Sequence, residues 1–184
     1  MELEKIQEKI GRTLGEVKSV LDVGCGDGAL VGFLAEYVAQ EAVGIDIRSD
    51  GFHREVASDR DGSSHSAGCV KGDAHSMGAF PNERFDAVVT AHAFHELSDP
   101  DTALSEIRRV LKAGGTLFIA DFAEGETRWH ETYYTPEKVE AMLSKGGFEE
   151  IEVEKASGAD FLFAVGKKPC CREKAGCLQS GSAA

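Results

Sequence analysis

Apolar residues recur every three to four positions at the start of the chain. Leu3, Ile6, Ile10, Leu14 and Val17 trace one face of an amphipathic helix over residues 3–16, placed on the sheet edge or over a site. The period then changes. Residues 19–24 read as a short buried strand, and helical spacing resumes at Ala29 and runs to about Ala39. Residues 42–47 are apolar except for Asp46, as expected of a strand covered on both faces. The stretch 48–68 is rich in Asp, Ser, His and Gly, and it accommodates one short helix near Phe52–Ala57 followed by a mobile loop. Residues 69–72 form a short third strand and Phe85–Ala91 a fourth.

Asp99 as N-cap and Pro100 as first helical residue begin the next helix, which buries Leu104, Ile107, Val110 and Leu111 and stops at Gly114. A fifth strand covers 116–121. Thr135-Pro136 then opens a helix that ends at Gly146. Residues 151–154 and 161–165 alternate or run apolar with too few residues between them for a parallel crossover, so they form an antiparallel hairpin. The pattern predicts an α/β, Rossmann-like three-layer sandwich, its seven-stranded sheet parallel except for one strand. The chain divides into an N-terminal helical segment (1–18), one domain (19–167) and a flexible Cys-containing tail (168–184).

Composition narrows the function. The formal net charge is −12. Residues 1–166 hold 16 Lys and Arg against 31 Asp and Glu, which makes nucleic acid an unfavourable substrate. No apolar run reaches the length of a bilayer span, and the charged N-terminus has no signal-like core, so a cytoplasmic location away from membranes is expected. The five cysteines are odd in number and unevenly placed, unlike a disulfide framework.

The chemistry centres on Val20–Leu30, where a strand feeds a turn containing Gly24, Gly26 and Gly28 and then a helix. Such a turn cradles a nucleotide-like ligand against bare main chain. Two patterns fit. Gly24-x-Gly26-x-x-Ala29, with Asp46 about twenty residues on, matches a dinucleotide fingerprint. Asp22-x-Gly24-x-Gly26-x-Gly28 sets an acid two residues before the first glycine instead. Together with Gly44-Ile45-Asp46, Gly72-Asp73-Ala74, Phe85–Val89, Glu106–Leu117 and Gly146-Gly147-Phe148, this second pattern resembles the class I S-adenosylmethionine-dependent methyltransferases, nearest the small-molecule group that includes quinone-biosynthesis and arsenite enzymes.

The resemblance implies the strand order 3-2-1-4-5-7-6 and S-adenosylmethionine as cofactor. It implies a cofactor site of Asp22, Gly24, Cys25, Gly26, Gly28, Asp46, Ile47, Asp73, Ala74 and Ala91. Asp46 would accept from ribose hydroxyls, Asp73 and the Ala74 amide would meet the adenine, and Asp22 would favour the cationic methionine end. The fourth strand ends at His92 and His95, expected beside the transferable methyl; His95 is the candidate general base or substrate contact and His92 a cofactor contact. The family's Asn-Pro-Pro-aromatic motif is absent there, which argues against methylation of nucleic-acid base amines. Trp129, His130, Tyr133 and Tyr134 form a candidate lid or wall for an aromatic or apolar small substrate. Cys170, Cys171 and Cys177 could hold a soft metal, but no second Cys-x-x-Cys pair completes a four-ligand site. Methylation of a protein side chain or of a metalloid, and a non-catalytic role in cofactor binding or thiol–metal handling, are the alternatives. The sequence does not specify an oligomeric state.

Overall fold

The computed structural model describes residues 2–57, 64–123, 133–156 and 161–170. Among them, eight strands form one sheet: β1 (Val17–Val23), β2 (Ala39–Asp46), β3 (Phe52–Ala57), β4 (Ser64–Lys71), β5 (Phe85–Ala91), β6 (Leu111–Phe122), β7 (Glu149–Lys155) and β8 (Phe161–Lys167). Their order across the sheet is β3-β4-β2-β1-β5-β6-β8-β7. The central five are parallel; β8 runs antiparallel to β6 and β7, and β3 antiparallel to β4.

Two cores sandwich the sheet. Successive β1 residues alternate between them: Val20 joins Ile6, Ile10, Val31 and Leu34 of helices α1 (Glu2–Leu14) and α2 (Ala29–Tyr37). Leu21 joins Leu104, Ile107, Val139 and Leu143 of α3 (Pro100–Val110) and α4 (Pro136–Lys145) on the opposite face. The expected helix signals hold at both later helices: Asp99 accepts from Thr102 N at 3.1 Å, and Thr135 Oγ1 accepts from Lys138 N at 3.2 Å.

The expected seven-stranded sheet is corrected to eight, with a second antiparallel strand. The other seven keep the relative order 3-2-1-4-5-7-6, and β3 is an addition at the edge. Residues 52–57 form this strand rather than the expected short helix. Six residues are too few to hold a helix in isolation, whereas β4 offers a full edge: Phe52 pairs with Cys69 and Ala57 with Ser64. Gly51, at φ 75°, redirects the chain into that pairing. The same ladder starts β4 at Ser64, well before the expected Cys69. Residues 58–63, part of the expected mobile loop, lie outside the described residues.

A second correction concerns Gly114, which does not stop α3. The helix ends at Val110, and Leu111 is already extended (φ −68°, ψ 138°). Glu83 N and Arg84 N donate to the carbonyls of Arg109 and Val110, so a neighbouring main-chain segment caps the helix. Gly114 (φ 76°) turns the long β6 instead, its N–H bonded to Lys168 O at 2.9 Å.

Candidate active site

The parallel strands end at one edge of the sheet, and the glycine turn sits there. Gly24, Gly26 and Gly28 have φ of 80°, 51° and 81°, a region that L side chains avoid. A Cβ on Gly24 would lie 2.3 Å from the Ala93 Cβ, and one on Gly28 would lie 2.5 Å from the Phe52 ring. A Cβ on Gly26 would meet nothing within 4 Å, so its bare main chain faces open space. Gly24 N and Cys25 N both donate to Ile45 O, at 2.8 and 3.3 Å, which pins the turn over the end of β2.

Asp46 closes that end. Its carboxylate accepts from Gly26 N at 3.0 Å and Arg48 N at 2.7 Å, and the residue is only 7% exposed. Asp22 lies beneath the turn at 2% exposure, its carboxyl pushed up to about 7 by burial and by the charge of Asp46. Across the cleft, Asp73 Oδ1 accepts from His75 N at 2.8 Å and from His75 Nδ1 at 2.6 Å; these bonds hold its carboxyl below the ordinary value. His75 Nε2 accepts from Asp99 N at 3.2 Å, so the ring proton sits on Nδ1 and Asp73 is tied to the start of α3.

Gly24, Asp46, Ile47, Asp73, Ala74 and His92 line one cleft of about 380 Å³, with Arg48 and Glu96 at its sides. Ile47 is 63% exposed, an apolar side chain held at the wall of the cleft beside its carboxylates. The lining carboxylates Asp46, Asp73 and Glu96 outnumber the single guanidinium of Arg48, and Asp22 lies behind them. Such a cleft favours a cation and disfavours a pyrophosphate.

The far side is aromatic. His92 has φ 55°, strained for a residue with a side chain, and its N–H donates to Ala120 O at 2.9 Å. Its ring lies edge-on to Phe122 and Phe161, with centroids 5.1 and 4.9 Å away. His95, in a short 3-10 turn (Phe94–Glu96), meets Asp121 at the end of β6. Asp121 Oδ1 accepts from His95 Nδ1 at 2.7 Å and Oδ2 accepts from His95 N at 2.8 Å; Phe122 N also donates to Oδ1, at 2.8 Å. Both side chains are nearly buried, 6% and 4% exposed. Donation from Nδ1 to the carboxylate sets the tautomer and fixes the plane of the imidazole. Tyr133 closes over this pair, its ring centroid 4.8 Å from that of His95.

A family model described as a methyltransferase domain matches residues 21–119. The chain belongs to this methyltransferase family. The O-methyltransferase rstn1 of Aspergillus nomiae is 30% identical over 166 residues, covering 81% of this chain and 73% of rstn1. The probable methyltransferase ltbC of Aspergillus luteorubrus is 36% identical over 114 residues, 57% of this chain but only 40% of ltbC. Among solved structures, the [4+2]-cyclase SpnF superposes with a TM-score of 0.71 at 19% identity, covering 91% of this chain and 81% of SpnF, a likeness of fold.

Within this methyltransferase fold the expected site residues separate into groups. Gly24, Asp46, Ile47, Asp73, Ala74 and His92 converge on the cleft. Asp22 and Cys25 are buried under it, while Gly26 and Gly28 shape the turn. Ala91 is partly buried against the core on the α1 and α2 face of the sheet and does not line the cleft. His95 is set back from the cleft wall against Asp121 and Tyr133. Tyr134 turns away, its ring 5.8 Å from Phe94 and under Lys138, its phenol pushed up by burial and by the charge of Asp121. Trp129 and His130 lie outside the described residues, as do Cys171 and Cys177; Cys170 is exposed. Among the described residues, no three His, Cys, Asp or Glu side chains group as a metal site, and no helix is long and apolar enough to cross a membrane. Sequence reasoning missed Asp121, Arg48, His75 and Glu96. An acid ending an apolar strand, as Asp121 does, was the available signal for the first.

Proposed function

We propose that the chain is an S-adenosylmethionine-dependent methyltransferase acting on a hydroxyl or carboxyl oxygen of a small apolar or aromatic molecule. The observation that supports the cofactor most is the acidic cleft joined to an open glycine turn: Gly26 leaves bare main chain facing space, and the flanking carboxylates suit a ligand carrying a sulfonium and an ammonium. When bound, S-adenosylmethionine supplies a methyl group already activated by its sulfonium. Asp46 would accept from the ribose hydroxyls, Ile47 would pack on the adenine, and Asp73 with the Ala74 amide would meet its polar edge. The open side of the turn at Gly26 would leave room for the methionine end, and Asp22 would act as a counter-charge to its cationic groups.

His95 is the general base. Asp121 orients its imidazole so that Nε2 takes the proton from a hydroxyl acceptor, and the carboxylate stabilises the imidazolium that results; a carboxylate acceptor arrives without a proton and needs no base. Tyr133 and Phe122 pack around the imidazole, with His92 against Phe122, and limit the access of water to it. The O-methyltransferase name of rstn1 supports an oxygen acceptor. The free thiols Cys25 and Cys69 support a reducing, cytoplasmic location.

The deciding experiment measures S-adenosylhomocysteine release from S-adenosylmethionine across a panel of phenols, hydroxylated aromatics and carboxylic acids. Saturable release with one of these is the expected outcome. Calorimetry that finds no cofactor binding overturns the donor assignment. Turnover confined to arsenite or to basic proteins in the same panel replaces the acceptor assignment instead.

A further inference from the structure

Two thiols outside the mechanism meet under the glycine turn. Cys25 Sγ and Cys69 Sγ are 3.2 Å apart, both buried, although 44 residues separate them in the chain. Gly44, between them on β2, makes this possible: a Cβ there would lie 2.5 Å from Cys25 Sγ and 2.7 Å from Cys69 Sγ. Gly28 clears the other side, where a Cβ would sit 3.0 Å from Cys69 Sγ. Two glycines therefore leave room for one thiol pair.

We propose that Cys25 and Cys69 form a site of oxidative modification, closing to a disulfide with peroxide and thereby loosening the cofactor site; the second half rests on the S-adenosylmethionine reading. The reaction balances as two thiols and one hydrogen peroxide giving one S–S bond and two waters: each sulfur loses its hydrogen, and the peroxide O–O bond takes the two electrons. The surroundings select this product. Burial pushes both thiols up; at Cys25 the facing Cys69 thiol adds to it, and at both the nearby acids Asp22 and Asp46 contribute less, so a thiolate, sulfenate or sulfinate here would place further negative charge beside those acids. A disulfide is neutral and adds none.

The link to the cleft is mechanical. A disulfide needs its sulfurs roughly 2.05 Å apart, so the pair must close by about 1 Å. Cys69 is held on both sides, paired with Gly44 on β2 and Phe52 on β3. Cys25 lies in the turn between Gly24 and Gly26, so the turn is the part that yields. Gly26 N is the donor to Asp46 Oδ2, and a shift of Cys25 toward Cys69 pulls on that bond. Oxidation then acts on the residue that would hold the ribose.

The test treats the full chain with hydrogen peroxide and reads it by intact mass, by peptide mapping and by calorimetry with S-adenosylhomocysteine. The expected result is a loss of two mass units at a Cys25–Cys69 linked peptide. Binding should weaken by about tenfold, the equivalent of one lost hydrogen bond, and dithiothreitol should restore it. Cys69→Ala, and Cys69→Ser as a second variant, should bind like the untreated protein before and after peroxide. A linkage that never forms in a protein that binds the ligand, or one that forms without changing affinity, overturns the proposal. If the untreated protein binds no S-adenosylhomocysteine, it is the cofactor reading that fails, and the cross-link is still decided by mass alone.

Discussion

The proposed site has a donor half at the cleft and an acceptor half set back against Asp121, and the two are built by different means. The donor half is main chain: three glycines at positive φ, two N–H groups pinned to one carbonyl, and a carboxylate at a strand end that accepts from the turn itself. Its parts come from β1, β2 and β4, adjacent strands in the sheet. The acceptor half is side chain: an imidazole and a carboxylate 26 residues apart, brought together where β5 and β6 pair through Ala91 and Ala120. A main-chain site is set by φ and ψ and is in place before any ligand arrives. A side-chain site depends on packing, here on Tyr133 and Phe122 around His95. The halves should therefore fail separately.

The largest separation is expected from His95→Ala. Loss of a positioned base lowers turnover by about 10²- to 10⁴-fold, while the dissociation constant of S-adenosylhomocysteine, read by calorimetry, stays within about twofold, well under one hydrogen bond. Asp121→Asn should reduce turnover in the same direction without changing ligand affinity. A parallel fall in affinity would show that the halves are one unit. Asp46→Ala is the converse break. It removes a carboxylate that accepts from Gly26 N and would accept from the ribose, so affinity should fall by about 10²- to 10³-fold, the scale of two charge-assisted hydrogen bonds.

The same contrast explains what the sequence revealed. Glycine spacing and an acid two residues upstream are local signals, so the turn is legible at once, and the family resemblance those signals carry implies Asp46, Ile47, Asp73 and Ala74. The His95–Asp121 pair was half legible: the histidine stands in a recognisable place, but its partner is fixed only by strand register, which no local pattern encodes. β3 was hidden for a related reason. Phe52–Ala57 carries no decisive period, and the free edge of β4 decides its conformation. Tyr133 and Tyr134 are neighbours in sequence yet point to different places, one to His95 and the other to Phe94 and Lys138. The alternation that separates them becomes visible only when the backbone is in place.

A smaller effect tests how Asp22 joins the donor half. Its carboxyl stands near 7 because it is buried beside Asp46, and a cationic ligand favours the ionised form. Between pH 6 and pH 8 the ionised fraction rises from about a tenth to about nine-tenths, so affinity for S-adenosylmethionine should rise roughly tenfold. At pH 6 binding should release close to one proton, measurable by calorimetry in buffers of different ionisation enthalpy. The sign for stability is opposite. The folded state keeps a proton that the unfolded chain has lost, so stability drops as pH climbs from about 4 to about 7. Asp22→Asn should flatten both dependences, and an unchanged affinity profile in that variant would remove Asp22 from the site.

The smallest effect belongs to Ile47, and it shows whether the donor half recognises more than charge. An isoleucine 63% exposed contributes little to folding, so Ile47→Ser should leave the melting temperature within about a degree. If its side chain packs on the adenine, the ligand covers apolar surface that water otherwise meets. Burying about 40 Å² at about 25 cal/mol per Å² gives close to 1 kcal/mol, a fivefold loss of affinity in the serine variant. Ile47→Leu should keep most of the affinity, because it restores area without restoring shape. Equal affinity in all three proteins would mean that the carboxylates and the glycine turn alone hold the ligand, with the adenine lying away from β2.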